Sequence, residues 1–247
     1  MSYFIRKRRA LLRGFDRAAK RSAAVMRERG HPPARIERVH AAARERFAAL
    51  LPRIPDPGEV GAHLRMFGSA AAIQLALFLA MRDEGEDVAE TWAICEEAAR
   101  RELAGVPSLV RRAVTAVYFS RWLRRRLRRA GAASQEAPLG GWQYALRDGE
   151  AGEDFDFAVT YTRCALQELA RAVDAAEFGP YLCLGDVVAS DLLGWGVQRS
   201  ETIGHGCGRC DFRFRRGGLT QISTPGWLRR AGTRRAGSAP ESGDPSA

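Results

Sequence analysis

From Gly68 to Arg82 the chain is apolar on almost every side of a helical wheel, interrupted only by Ser69 and Gln74. A helix with no polar face has to be covered by neighbours on several sides, so this segment is expected at the centre of the fold. The apolar run itself, Met66 to Met81, is short for a bilayer span and carries Gln74, which favours a buried helix. Helical cover is available on both sides. Ser2 to Arg29 places Phe4, Leu11, Leu12, Phe15 and Ala19 near helical spacing and ends at Gly30 and Pro32-Pro33, a stop signal. Ala34 to Leu51 reads as a second helix, closed by Pro52 and Pro55. Asp87-x-x-Glu90 is a capping pair opening a helix through Leu103, and Pro107 starts another that is expected to run to Arg129.

The period then changes. Gly, Ala, Ser and Pro cluster over Ala130 to Gly141, which marks the expected boundary between the halves. Beyond it Trp142, Tyr144 and Leu146 alternate with polar or small residues, as do Phe155, Phe157, Val159 and Tyr161, with a turn at Asp148-Gly149. Helices are expected over Cys164 to Ala176 and Cys183 to Leu193, and strands over Val197 to Ile203 and Arg209 to Arg216. The fold class is therefore α+β: a helix-rich N-terminal half followed by a four-stranded antiparallel sheet with helices packed on one face. The division expected is an N-terminal helical extension over 1–60 and an α+β domain over 61–216 (helices 61–130, sheet and helices 141–216). Arg, Gly, Ser and Pro dominate the end, so 217–247 is expected to be a disordered tail.

Composition removes several function classes. With 46% apolar and 28% charged residues among 247, the chain can build its own core without staples. Five cysteines at irregular spacing do not form a secreted disulfide framework. The basic residues Arg6 to Arg9 precede no apolar core, so no signal peptide is expected, and a bacterial cytoplasm is the expected location. The net charge of +10 invites nucleic acid, but lysine occurs only at Lys7 and Lys20, arginine and alanine are abundant as under biased codon usage, and no RNA- or DNA-binding motif accompanies the charge. Arg121 to Arg129 is the densest basic run, and Trp122, Leu123 and Leu127 give it one apolar stripe, so its arginines read as a solvated helix face. Neither nucleic acid nor membrane is expected as a partner; a small-molecule substrate is, and a homodimer is allowed.

Four cysteines fall in the second half: Cys164, Cys183, Cys207 and Cys210. Cys207-x-x-Cys210 has the spacing of half a zinc site, with Cys164 and Cys183 as distant candidates for the rest. A redox dithiol at 207 and 210 would sit at a helix start, whereas this pair enters a strand. The third reading is a pocket cysteine in an enzyme. Cys183 and Asp186 are three apart on one helical face, Cys210 shares a strand face with Phe212 and Phe214, and His205 is close in sequence.

Several of these settings come in a familiar order. Phe155-Asp156-Phe157-Ala158-Val159-Thr160, Arg163-Cys164, Leu182-Cys183-Leu184-Gly185-Asp186, Thr202 to Gly206, and Cys210-Asp211-Phe212-Arg213-Phe214 resemble the L-2-amino-thiazoline-4-carboxylic acid hydrolase family, over roughly Gly68 to Phe214. Arg163, Cys164, Cys183, Asp186, Thr202, Gly206, Cys210, Asp211 and Phe212 match by position, and Cys207 does not. The resemblance implies opening of a cyclic amidine to N-carbamoyl-L-cysteine. The candidate catalytic residues are then Asp186 as base, with Cys183, Cys210, Cys164 or His205 as acid, and Arg163 or Arg213 to hold the substrate carboxylate. No cofactor is expected, zinc being the alternative. Two rivals stand beside it. One is a small-molecule- or zinc-binding sensor related to 4-vinyl reductase domains, and the other is a partner-binding protein using the Arg121 to Arg129 face.

Overall fold

The computed structural model describes residues 1–226 and Leu228. Its first half is a helical assembly: α1 (Tyr3–Arg6), α2 (Arg8–Glu28), α3 (Pro33–Leu50), α4 (Arg65–Asp83) and α5 (Val88–Ala104). Gly30, with φ of 88°, ends α2 in the left-handed region, and α3 begins on Pro33, where a missing amide costs nothing. Asp87 caps α5, its Oδ1 accepting from the Glu90 amide at 2.7 Å.

Helix α4 occupies the centre, with Ala72, Leu75, Ala76, Phe78 and Met81 each at 1% exposure or less. Together with the turn before it, Ala62–Asp83 is long and apolar enough to cross a bilayer, a longer stretch than the apolar run alone indicates. It is nevertheless a core helix, with 61% of its most apolar stretch buried in the protein. Phe15 stacks on Phe47 at 5.3 Å, and Phe78 stacks at 4.9 Å on Phe178, which lies well beyond the sheet's first two strands in sequence. The N-terminal helices therefore share one core with elements of the second half.

The helix expected from Pro107 to Arg129 is two helices, α6 (Ser108–Tyr118) and α7 (Arg121–Glu136). Ser120 makes the break: its hydroxyl accepts from the Leu123 amide at 3.2 Å and caps the second helix. Helix α7 continues to Glu136, through residues whose small side chains suggested a boundary. A Cβ at Gly131 would lie 3.0 Å from the Tyr144 carbonyl oxygen, so the small residues permit close approach of helix to strand.

The sheet has five strands, β1 (Gln143–Asp148), β2 (Phe157–Arg163), β3 (Val197–Arg199), β4 (Cys210–Phe214) and β5 (Gln221–Ile222), in the order β1-β2-β4-β3-β5. The four expected strands pair antiparallel. The four-stranded expectation is corrected by β5, which adds a parallel edge to β3. Two residues carry no alternation, so no periodicity could signal that strand. β5 lies within 217–247, the expected tail; apart from Leu228, residues after Gly226 lie outside the described residues.

Between β2 and β3 the chain forms α8 (Ala165–Ala172), α9 (Gly179–Leu182) and α10 (Gly185–Leu193). A second core of Trp142, Tyr144, Phe157, Val197 and Phe214 lies against the sheet, and Leu166 on α8 packs against both cores. This insertion carries Cys183 and Asp186 to the sheet.

Candidate active site

Pleating sorts the residues of β4. Cys210 and Phe214 are buried at 5% and 6% exposure, while Asp211 and Arg213 alternate to the other side. Asp211 pins the end of β3, accepting from the amides of Ser200 at 2.9 Å and Glu201 at 2.6 Å, and Arg213 approaches it at 3.5 Å. These two belong to the turn, not to the thiol cluster.

Arg199, the last residue of β3, is 2% exposed. Its Nη1 donates to the Cys183 carbonyl at 2.9 Å and to Asp186 Oδ2 at 3.1 Å, and its guanidinium lies 5.1 Å from the Phe212 ring centroid. One cation thus ties the start of α10 to the sheet. Its Nε and Nη2 are buried and, among the described residues, without a hydrogen-bond partner. These two nitrogens form one edge of the guanidinium, the fork that grips a carboxylate with two parallel bonds. Buried donors without acceptors are costly, which makes the fork conspicuous.

Two thiols, Cys183 and Cys210, lie within electrostatic reach of this ion pair. Thr202, 1% exposed, donates from Oγ1 to Cys183 Sγ at 3.4 Å and stands 3.3 Å from Cys210 Sγ. A hydroxyl has one proton, so Cys210 S–H is then the donor to Thr202, while the Ile203 amide donates to Cys210 Sγ at 3.3 Å. Cys183 Sγ also accepts from Gln167 Nε2 at 3.5 Å, leaving its own S–H directed elsewhere. Gly204 closes the turn over Cys183: a Cβ there would lie 2.6 Å from the sulfur. Cys164 caps α8 within electrostatic reach of both other thiols.

Burial sets the protonation states. It pushes Cys183 up to about 11, against hydrogen bonding from Thr202 and the charge of Arg199. Cys164 rises to about 12 and Cys210 also rises, again through burial. At neutral pH fewer than about one in a thousand of the Cys183 and Cys164 thiols is a thiolate, so these two are hydrogen-bond donors and not ready nucleophiles. Asp186 is shifted upward as well, because burial outweighs the opposing pull of Arg199. Protein surrounds this carboxylate closely, yet its side chain keeps 37% of its exposure. A crowded but reachable group is one at the floor of a cleft.

Aromatic rings wall that cleft. Tyr118 stacks on Trp195 at 4.1 Å, and Tyr161 meets Phe212 edge-on at 5.8 Å. Burial, and then the negative charge of Asp186 among other neighbours, raise both tyrosine hydroxyls.

The structure therefore brings Asp186, Cys183 and Cys210 together, with Cys164 within electrostatic reach of the two thiols. His205 sits at the margin, its pKa lowered by burial and by Arg199, its Nε2 without a partner among the described residues. The expected cations lie elsewhere: Arg163 is exposed and bound to Glu168 at 2.6 Å, and Arg213 faces Asp211. Sequence reasoning missed Arg199, Gln167, Tyr118 and Tyr161, and gave Thr202 no role. One signal was available, since Val197 and Arg199 share a strand face and put an arginine at an inward position. Cys207 closes the turn through its amide, which donates to the Thr202 carbonyl at 3.2 Å. Among the described residues no group of three His, Cys, Asp or Glu side chains is placed to hold a metal ion, so the zinc reading finds no donor set. A cavity of about 200 Å³ in the helical half, lined by Phe15, Ile73, Leu77 and Cys95, contains none of these residues.

No curated protein and no solved structure matches the chain significantly. The profile described as L-2-amino-thiazoline-4-carboxylic acid hydrolase matches residues 67–214, more than half of the chain, from α4 to the end of β4 and across every residue of the cleft. The chain belongs to the L-2-amino-thiazoline-4-carboxylic acid hydrolase family.

Proposed function

We infer that this protein hydrolyses a cyclic amidine bearing a carboxylate, of the kind represented by L-2-amino-thiazoline-4-carboxylate, in the cleft above Asp186 and Arg199. The observation that carries the reading is one ion pair with two unequal halves: a cleft-floor carboxylate with a raised pKa, and a buried arginine whose second edge is unfilled. The substrate carboxylate would take the Nε/Nη2 fork of Arg199, which protein covers in this conformation and which side-chain movement has to uncover on binding. The amidine, cationic when protonated, would lie against the Trp195 and Tyr118 rings.

Asp186 is the group that activates water, a role suited to a carboxylate tuned upward by burial. Water adds to the carbon between sulfur and nitrogen while one of its protons passes to Asp186; the added hydroxyl gives its remaining proton to the ring nitrogen as the carbon–sulfur bond breaks, and the sulfur leaves as a thiolate. The cysteines are poor acids for that thiolate. Cys183, at about 11, holds its proton more tightly than a free thiol near 8.5 does. The carboxylic acid just formed on Asp186 is far stronger and returns the proton to sulfur, so that one water is consumed and N-carbamoyl-L-cysteine is produced. Cys183 and Cys210 then contribute hydrogen bonds and shape.

The deciding assay is release of free thiol from L-2-amino-thiazoline-4-carboxylate by the purified chain. Asp186→Asn, nearly isosteric, should lower turnover by about a hundredfold, the usual scale of a general base. Unchanged turnover would exclude Asp186 as the base. Saturable binding of the substrate with no thiol release from the unaltered chain would favour the binding-only sensor.

A further inference from the structure

Helix α6 is inverted. On a 100° wheel Leu109, Val110, Val114 and Val117 fall in one arc, as expected of a face that packs on a core, yet they are 75%, 48%, 44% and 54% exposed. The one buried residue of the helix is Thr115, on the opposite side, whose hydroxyl donates to the Leu193 carbonyl at 2.6 Å. Trp122, two residues beyond the Phe119–Ser120 corner, adds a ring at 65% exposure. An apolar patch of this kind on a folded surface marks an interaction site.

The charges around it say what interacts. Between Ser108 and Gln135 there are eight arginines and no aspartate or glutamate. Arg124 and Arg128 are neutralised by Asp148. Arg111, Arg112, Arg121, Arg125, Arg126 and Arg129 make no ion pair among the described residues, in a protein whose other arginines are mostly paired. Arg112 and Arg111 flank the apolar arc of α6 on its two sides, and Trp122 shares its face with Arg125, Arg126 and Arg129 by helical spacing. A second copy docked on this face would bring arginines against arginines with no carboxylate between 108 and 135 to relieve them. Nucleic acid would satisfy the arginines and leave the valines and leucine in water. A bilayer surface with anionic headgroups answers both: phosphates meet the arginines, and the apolar arc and indole enter the headgroup–acyl boundary.

We propose that α6 and the start of α7 form a peripheral membrane-docking face selective for anionic lipid. The test is co-sedimentation of the whole chain with phosphatidylcholine vesicles and with vesicles containing phosphatidylglycerol, at low and high salt. Binding should require phosphatidylglycerol and weaken with salt, and Trp122 fluorescence should shift to the blue. The double variant Leu109→Asp/Val117→Asp alters only exposed positions, so it should melt like the unaltered chain while binding more than tenfold more weakly. Three results would overturn the proposal: no sedimentation with anionic vesicles, undiminished binding by the double variant, or a solution dimer that the double variant splits, which would give this face to a second copy.

Discussion

At the scale of single residues, the cleft turns on how burial treats two opposite charges. Arg199 offsets part of the cost of its burial by giving Nη1 to Asp186 and to a carbonyl. Asp186 pays for the same burial with an upward shift. The sign follows directly: only the ionised form removes a proton from water, so kcat/KM should rise with pH through a value above the ordinary aspartate range near 4, and Asp186→Asn should erase that acid limb. The linked stability term runs the other way. A raised folded pKa stabilises the fold below the unfolded value, and that contribution is lost as pH rises through the folded value, so the catalytically competent form is the less stable one. Arg199→Lys tests the fork separately. Lysine keeps the charge but loses the paired geometry, and the loss of one charge-assisted interaction, about 1.5–3 kcal/mol, predicts a ten- to hundredfold fall in kcat/KM. A 2-aminothiazoline without the carboxylate, compared in the same assay, should be turned over by both proteins alike. Retained discrimination by the lysine variant would place the substrate carboxylate elsewhere.

At the scale of elements, the packing of α7 on β1 shows what a sequence conveys and what it hides. Alternation at Trp142, Tyr144 and Leu146 was enough to place the strand, because a half-buried strand writes its period directly into polarity. The helix beside it extends past its legible end, because Gly131 and Ser134 have the composition of a linker and the function of a contact. Ser134 is fully buried, accepts from the Tyr144 amide at 3.0 Å, and donates to the Gly131 carbonyl at 2.6 Å or the Tyr144 carbonyl at 3.0 Å. It thereby covers an outer backbone group of the edge strand that would otherwise be open to another chain. Ser134→Ala should cost about 1–3 kcal/mol, the penalty of a stranded buried amide, read as a lower urea midpoint at unchanged slope. A shift of only a few tenths would mean that Gln135, whose amide donates to the Tyr144 carbonyl at 2.9 Å, holds the strand alone. The cleft was legible to a similar degree. Asp186, Cys183 and Cys210 stood out through motif order and shared faces, whereas Arg199, Gln167 and Tyr118 come from three separate elements. Their meeting is a property of tertiary packing, which no spacing in the chain encodes.

At the scale of the whole molecule, the open question is whether the part that matches the family is a domain in its own right. The match begins at residue 67, which taken alone makes 1–60 an appendage. The core argues otherwise. Phe4, Phe15, Met26, Ile36, Phe47 and Leu50 come from that appendage and are each at most 4% exposed, packed in the same cluster as Leu75, Phe78, Leu169 and Phe178. At about 1.5–3 kcal/mol for each fully buried apolar side chain, these six alone supply on the order of 10 kcal/mol, comparable to the entire net stability of an ordinary domain. Removing 1–60 would also bare the side of α4 against which α3 packs, on a helix with no polar face to turn outward. The full chain should therefore melt in a single cooperative transition, and a fragment beginning at residue 61 should keep helical circular dichroism without a cooperative melt and should bind a hydrophobic dye. A fragment that melts sharply and releases thiol from the amidine would show instead that the N-terminal helices are an addition to a self-sufficient enzyme. The two outcomes differ because a core shared across the match boundary cannot be halved without losing the surface that holds the cleft's helices α8 to α10 in place.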